Sequence, residues 1–176
     1  MRIVVIVAVF VLSLVSCENK ESLQKYFVEN SESQDFIALD LAPSFINTEK
    51  LTLTSEEKEA LSSFKKLNVL AYKNDSLHKT RFEAEKNKVK GILKEEAYEP
   101  LMKFGNTDKG LSVYLVGNDE KIDEFVLFAS GKEEGFVVAR LLGDNMKPTD
   151  VVNLVEIIRK ADLDLDQLKP LKEALK

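Results

Sequence analysis

The stretch from Tyr98 to Leu142 constrains the fold more than any other. Four short apolar runs, Leu101–Phe104, Leu111–Val116, Phe125–Ala129 and Phe136–Leu142, are each followed by turn chemistry. The turns read Gly105-Asn106, Gly117-Asn118-Asp119, Gly131 and Gly143-Asp144-Asn145. Gly and Asn reach the left-handed backbone of tight hairpins, so the series predicts an antiparallel meander. Two more strands are expected upstream. One is Asp35–Leu41, with Ile37, Leu39 and Leu41 on one face until Pro43 stops it; the other is Val69–Tyr72.

The helices come from a different period. Leu23, Tyr26 and Phe27 stand at i, i+3, i+4 and predict a short helix. Thr54 with Glu57 forms a capping box ahead of a stripe made by Ala60, Leu61, Phe64 and Leu67. Asn74-Asp75-Ser76 reads as turn and cap to a charged helix ending near Leu93, with Phe82, Val89, Ile92 and Leu93 inward. Pro148 opens a helix that buries Val151, Leu154, Val155 and Ile158. A last helix, capped near Asp164, buries Leu165, Leu168 and Leu175. The class is therefore α+β, a largely antiparallel sheet of about five to six strands with helices packed on one face. Residues 34–176 form one domain, and residues 17–33 are a tether with the short helix.

Ahead of the domain, Arg2 precedes an uncharged run from Ile3 to Leu12, and polar sequence begins at Glu18. The run is shorter than the about 20 residues a spanning helix needs, and it reads as an export signal over residues 1–16. Leu14-Val15-Ser16-Cys17 resembles the bacterial lipobox, with cleavage between Ser16 and Cys17 and acylation (palmitate or a similar chain) of Cys17. The competing reading is a plain secretory signal that contains a cysteine. Each buried CH₂ of an acyl chain contributes about 0.8 kcal/mol of membrane affinity, so several chains on one residue anchor stably. The chain has 1 Cys, which leaves none for disulfides, thiol catalysis or iron–sulfur ligation. Its formal charge is −5, with no basic cluster, which argues against nucleic acid and against electrostatic binding to anionic lipid.

The lipobox, the helix–strand units and Glu99-Pro100-Leu101-Met102-Lys103-Phe104 ahead of a meander carry a resemblance. So does Phe136-Val137-Val138-Ala139-Arg140-Leu141-Leu142-Gly143-Asp144 running into a closing helix. Together they resemble the Bacteroidetes-type envelope lipoprotein family catalogued as domain of unknown function 4252. The chain departs from that pattern at Asn145, where an apolar residue would follow the Asp. The resemblance implies a small lipoprotein of a Gram-negative envelope and supplies no catalytic residue.

The chemistry that can be excluded is extensive. His78 is the single histidine and sits among Lys79, Arg81 and Lys86, so neither a triad nor a three-histidine metal site can be built within one chain. There is no phosphate-loop or dinucleotide fingerprint. With no Trp, and Phe and Tyr largely in core positions, a sugar-stacking platform is unsupported. Glu133-Glu134 and Asp119-Glu120 fall in turns, where solvated charge is the default. Asp162, Asp164 and Asp166, with Glu173, match the acidic positions of a calcium loop, but Gln167 replaces its essential Gly and Pro170 falls inside. Helix capping and leucine packing account for more of that segment. Asp75-Ser76-Leu77 resembles a three-residue O-glycosylation signal, with Ser76 as acceptor.

The expectation is an envelope-anchored, non-catalytic binding module without a cofactor, lipid-anchored at the outer membrane and facing the periplasm or the outside. Its partner would be a protein, a peptide or a lipid-like ligand, held on a sheet face that helices leave uncovered. The alternatives are a hydrolase using paired carboxylates on an envelope polymer, or a signalling or stress-response component.

Overall fold

The strands of the central sheet carry apolar residues on both faces, and this decides the architecture. The computed structural model describes residues 21–73, 79–106, 109–118, 121–132, 135–164, 166, 167 and 169. Its elements are α1 (Leu23–Asn30), β1 (Phe36–Leu41), β2 (Ile46–Asn47), α2 (Ser55–Ser63), β3 (Phe64–Lys73) and α3 (Lys79–Ile92). They continue with β4 (Glu99–Gly105), β5 (Lys109–Asn118), β6 (Lys121–Gly131), β7 (Gly135–Met146), α4 (Pro148–Lys160) and β8 (Asp162–Leu163). Six strands form one antiparallel sheet in the order β1-β3-β7-β6-β5-β4. The meander β4 to β7 and the α+β class are as the turn pattern predicts. β3 enters between β1 and β7, which the turn pattern alone does not specify.

Cross-strand rows show how the faces are used. Phe36, Tyr72 and Phe136 are directly paired, as are Ala38, Leu70, Val138 and Phe128. These residues pack with Leu23, Tyr26 and Phe27 of α1 and with Phe82, Val89 and Ile92 of α3. Tyr72 and Phe136 stack with their rings 7° from parallel, at 5.5 Å. On the opposite face, Leu67 pairs Leu141, which pairs Phe125, which pairs Leu115. That end is covered by α2 and α4, through Ala60, Leu154 and Ile157, with Val151 alongside. The single helical layer expected from the sequence is thus two layers. β1, β3 and β7 are apolar on both sides, and a sheet buried on both faces needs cover on both.

Two helical stripes differ from expectation. The capping box forms, with Glu57 N donating to Thr54 Oγ1 at 3.2 Å and Thr54 N to Glu57 Oε2 at 2.9 Å. But α2 ends at Ser63, and Phe64 and Leu67 belong to β3 rather than to the helix. Phe64 has extended backbone and pairs with Gly143, so partnering with β7 overrides a helical period that ran through the junction. In α4, Asp150, Leu154 and Ile157 are buried while Val155 is 52% exposed. Asp150 Oδ2 accepts from Lys147 N at 2.8 Å and from Ser63 Oγ at 3.4 Å. This fixes the line 150, 154, 157 inward and leaves Val155 about 130° round the helix from it.

The closing segment first makes β8, which pairs with β2 through Ile46↔Leu163 and Asn47↔Asp162. Leu165, Leu168 and Leu175, the leader with Ser16 and Cys17, and Ser76 and His78 all lie outside the described residues. So do Asp119, Glu120, Glu133, Glu134 and Glu173.

Candidate functional site: an apolar hollow on the second sheet face

One row of residues crosses all six strands on the face that α2 and α4 cover only at its far end. Ile37 pairs Ala71, Ala71 pairs Val137, Val137 pairs Ala129, Ala129 pairs Leu111, and Leu111 pairs Phe104. Directly opposed residues of antiparallel strands share a face, so these six side chains stand in line. Alanine at two central positions leaves room between larger neighbours. The result is a cavity of about 410 Å³ lined by Ala71, Leu111, Ala129, Val137 and Phe104, among others. The next row toward α4 runs Leu39, Val69, Ala139, Leu127, Val113 and Met102. Leu127, Met102 and Phe104 are 38%, 48% and 59% exposed, so apolar surface opens toward the β4 edge.

The rim is shaped by backbone. Gly105 has φ +94° and closes the end of β4, with Asn106 N donating to Lys109 O at 2.8 Å. A Cβ at Gly105 would run into the Lys109 carbonyl oxygen, so only glycine allows this closure beside the hollow. Among the described residues, no Asp or Glu lines the cavity.

The buried carboxylates are committed elsewhere. Arg140 Nε and Nη2 donate to Glu124 Oε1 and Oε2 at 2.7 and 2.8 Å, and Arg140 Nη1 donates to Gln24 Oε1 at 2.7 Å. This pair lies beneath α1, with the guanidinium 5.2 Å from the Phe27 ring centroid. Asp150 holds the start of α4, and Glu57 caps α2 while accepting from Lys160 Nζ at 3.0 Å. Those contacts, the Thr54 amide first, hold the Glu57 carboxyl below its ordinary range. Tyr26 Oη donates to Glu85 Oε2 at 2.8 Å, and burial, then that bond, pushes the phenol far above its ordinary range.

The calcium candidates sit at the β2–β8 corner. Asp162 is paired with Lys50 at 3.0 Å and Asp166 with Lys169 at 2.9 Å. Asp164 accepts from Gln167 Nε2 at 2.8 Å and from Asp166 N at 3.1 Å, contacts that, Gln167 first, hold its carboxyl below the ordinary range. The three aspartates thus serve ion pairs and a turn, and no group of three metal-ligating side chains is found among the described residues. The row through Ala71 and Ala129 was not singled out from the sequence. Alternation alone puts both alanines on an inner-type face, but only the register aligns them.

Asn145 resolves the departure from the family pattern. It adopts φ 54°, where Asn is tolerated, and the pairing shifts between Ile122↔Met146 and Glu124↔Leu142. The shift carries Met146 fully inward, against Leu115, Ile122 and Phe125. The apolar position is therefore supplied one residue later.

No curated protein and no solved structure matches the chain. A family model, a domain of unknown function (DUF4252), matches residues 26–154, from the buried Tyr26 of α1 to the buried Leu154 of α4. Well over half of the chain is covered, including the whole six-stranded sheet, and the chain belongs to the DUF4252 family.

Proposed function

We propose that the chain is an envelope lipoprotein, anchored through acylated Cys17, whose domain acts by binding an apolar group rather than by catalysis. The observation that carries the binding reading is the row of small and apolar side chains around the hollow of about 410 Å³. Ligand pockets run from about 300 to 1,000 Å³ with mostly apolar linings, and this hollow fits that class. Its occupant is an apolar segment of a peptide or protein, or the chain of a lipid-like ligand. The lipobox supports the anchor. A hydrolase pair would need two carboxyls about 5–9.5 Å apart across a cleft, one of them held protonated. The described residues that line the hollow include none, and Asp164, the perturbed Asp at the β2–β8 corner, is shifted toward the charged form.

The test is binding of the neutral fluorophore N-phenyl-1-naphthylamine to the purified protein and to Ala129→Asp, which puts a charge into the hollow. Binding lost in the variant supports the reading, and equal binding by both proteins refutes it. Protease accessibility of an epitope-tagged copy on intact cells decides between the periplasmic and the outer surface. In the same cells Cys17→Ala is expected in the soluble fraction, and its retention in membranes would refute the anchor.

A further inference from the structure

A second cavity, of about 540 Å³, lies on the other face of the sheet, between the C-terminal end of α3 and the strands β4 and β5. Its floor is apolar and aromatic, with Leu93, Tyr114 and Phe128 all buried. Ser112 and Ser130 line it as well, and no Asp or Glu does among the described residues. Lys90 reaches it from the last turn of α3, Lys94 from the turn that follows the helix, and Lys103 from β4, in the row that pairs it with Ser112 and Phe128. None of these three lysines makes an ion pair among the described residues, in a chain of net charge −5. By contrast Lys50, Lys66, Lys88, Lys147 and Lys160 all have carboxylate partners.

Each lysine taken singly has a structural explanation. Lys90 and Lys94 complement the C-terminal dipole of α3, and Lys103 guards an edge strand against pairing. Neither explanation requires that all three line one recess that has no Asp or Glu among its described lining residues. Three cations around an apolar floor with serines are a receptor for an anionic head on an apolar body. We infer that this cavity binds an organic anion, a carboxylate, phosphate or sulfonate carried on an apolar group, with Lys90, Lys94 and Lys103 as its counter-charges. The two recesses share Phe104, Gly105, Gly110 and Ser130 at the end of the sheet, but the three lysines belong only to this one, and its reading does not depend on the other.

The experiment compares two probes of nearly the same body, 1-anilinonaphthalene-8-sulfonate and neutral N-phenyl-1-naphthylamine, with the purified protein. The variant is Lys90→Gln/Lys94→Gln/Lys103→Gln, three exposed positions. Its control is Lys58→Gln/Lys121→Gln/Arg159→Gln, which lowers the net charge equally at other exposed sites. The expected result is sulfonate binding weakened about tenfold in the variant alone, the sum of three solvent-exposed ion pairs, with neutral-probe binding unchanged. Displacement of the sulfonate probe by dodecanoate but not by inorganic phosphate assigns an anion on an apolar body. Displacement by phosphate with equal efficiency overturns the apolar floor as part of the site. Equal loss in variant and control, or no loss in either, overturns the lysine site.

Discussion

Removing Arg140 is the most informative single perturbation of this fold. Its side chain is 5% exposed and that of Glu124 10%, and the two make a bidentate pair in the middle of the sheet. Arg140→Met keeps the stem's volume but leaves the Glu124 carboxylate with neither water nor a cation. Breaking a buried pair this way costs about 3–5 kcal/mol, because the stranded charge has lost its solvent and its partner. At about 2–4 °C per kcal/mol for a domain of this size, the Tm falls by about 6–20 °C. Arg140→Met/Glu124→Met removes the stranded charge and is expected to return to within about 1 kcal/mol of the wild type, or above it. Urea unfolding of the four proteins of this cycle gives the coupling. Lys65→Met serves as the control, since its pair with Asp144 is 3.8 Å long and about 60% exposed on both sides. That pair is worth less than about 1 kcal/mol. Arg140 also holds Gln24 and lies over Phe27, so hydrogen exchange is expected to speed first in Leu23–Asn30, the first helix. A loss below about 1 kcal/mol in Arg140→Met, or a double variant as weak as the single, would refute the reasoning.

Three other expectations follow from the same structure. A Cβ on Gly143 would meet the Met146 side chain and, at 2.7 Å, the Ser63 carbonyl oxygen. Gly143→Ala should therefore destabilise by about 1–3 kcal/mol in urea unfolding, and an unchanged midpoint would show that the α2–β7 junction yields freely. Glu57 has its carboxyl depressed from 4.5 by the Thr54 amide and Lys160, and Asp164 is depressed by Gln167 and Asp166. A depressed carboxyl contributes its stability above the unfolded value and loses it as pH falls through the folded one. The gap in Tm between wild type and Glu57→Gln should therefore be constant above about pH 5.5 and narrow as the pH falls below 4.5, and a gap that stays constant or widens as the pH falls refutes the assignment. Calcium at millimolar levels should give neither heat nor a thermal shift, because Asp162, Asp164 and Asp166 are spent on Lys50, a turn and Lys169. A shift abolished by Asp164→Asn would restore the calcium loop.

Local patterns were legible wherever one contact range decided the outcome. The turns after β4, β5 and β6 follow from Gly and Asn chemistry, the start of α2 from Thr54 and Glu57, and the inner face of α3 from the spacing of Phe82, Val89 and Ile92. These depend on neighbours within a few residues, so the chain carries them unaided. The tertiary structure decided what depends on partners distant in sequence. Phe64 and Leu67 stand at a helical spacing from Ala60, yet become strand because Gly143 and Leu141 are there to pair with them. Val155 faces solvent because Asp150 locks α4 against Ser63, a contact between residues 87 apart. Both cavities belong to this second category. Ala71, Val137, Ala129 and Leu111 line one hollow only because three strand registers align them, and Lys90 and Lys94 share a recess with Lys103 only because the end of α3 and the turn after it lie beside β4. Hydrophobic burial is non-directional, so the sequence names the residues that must leave water, and only the mutual packing of sheet and helices sets which of them meet.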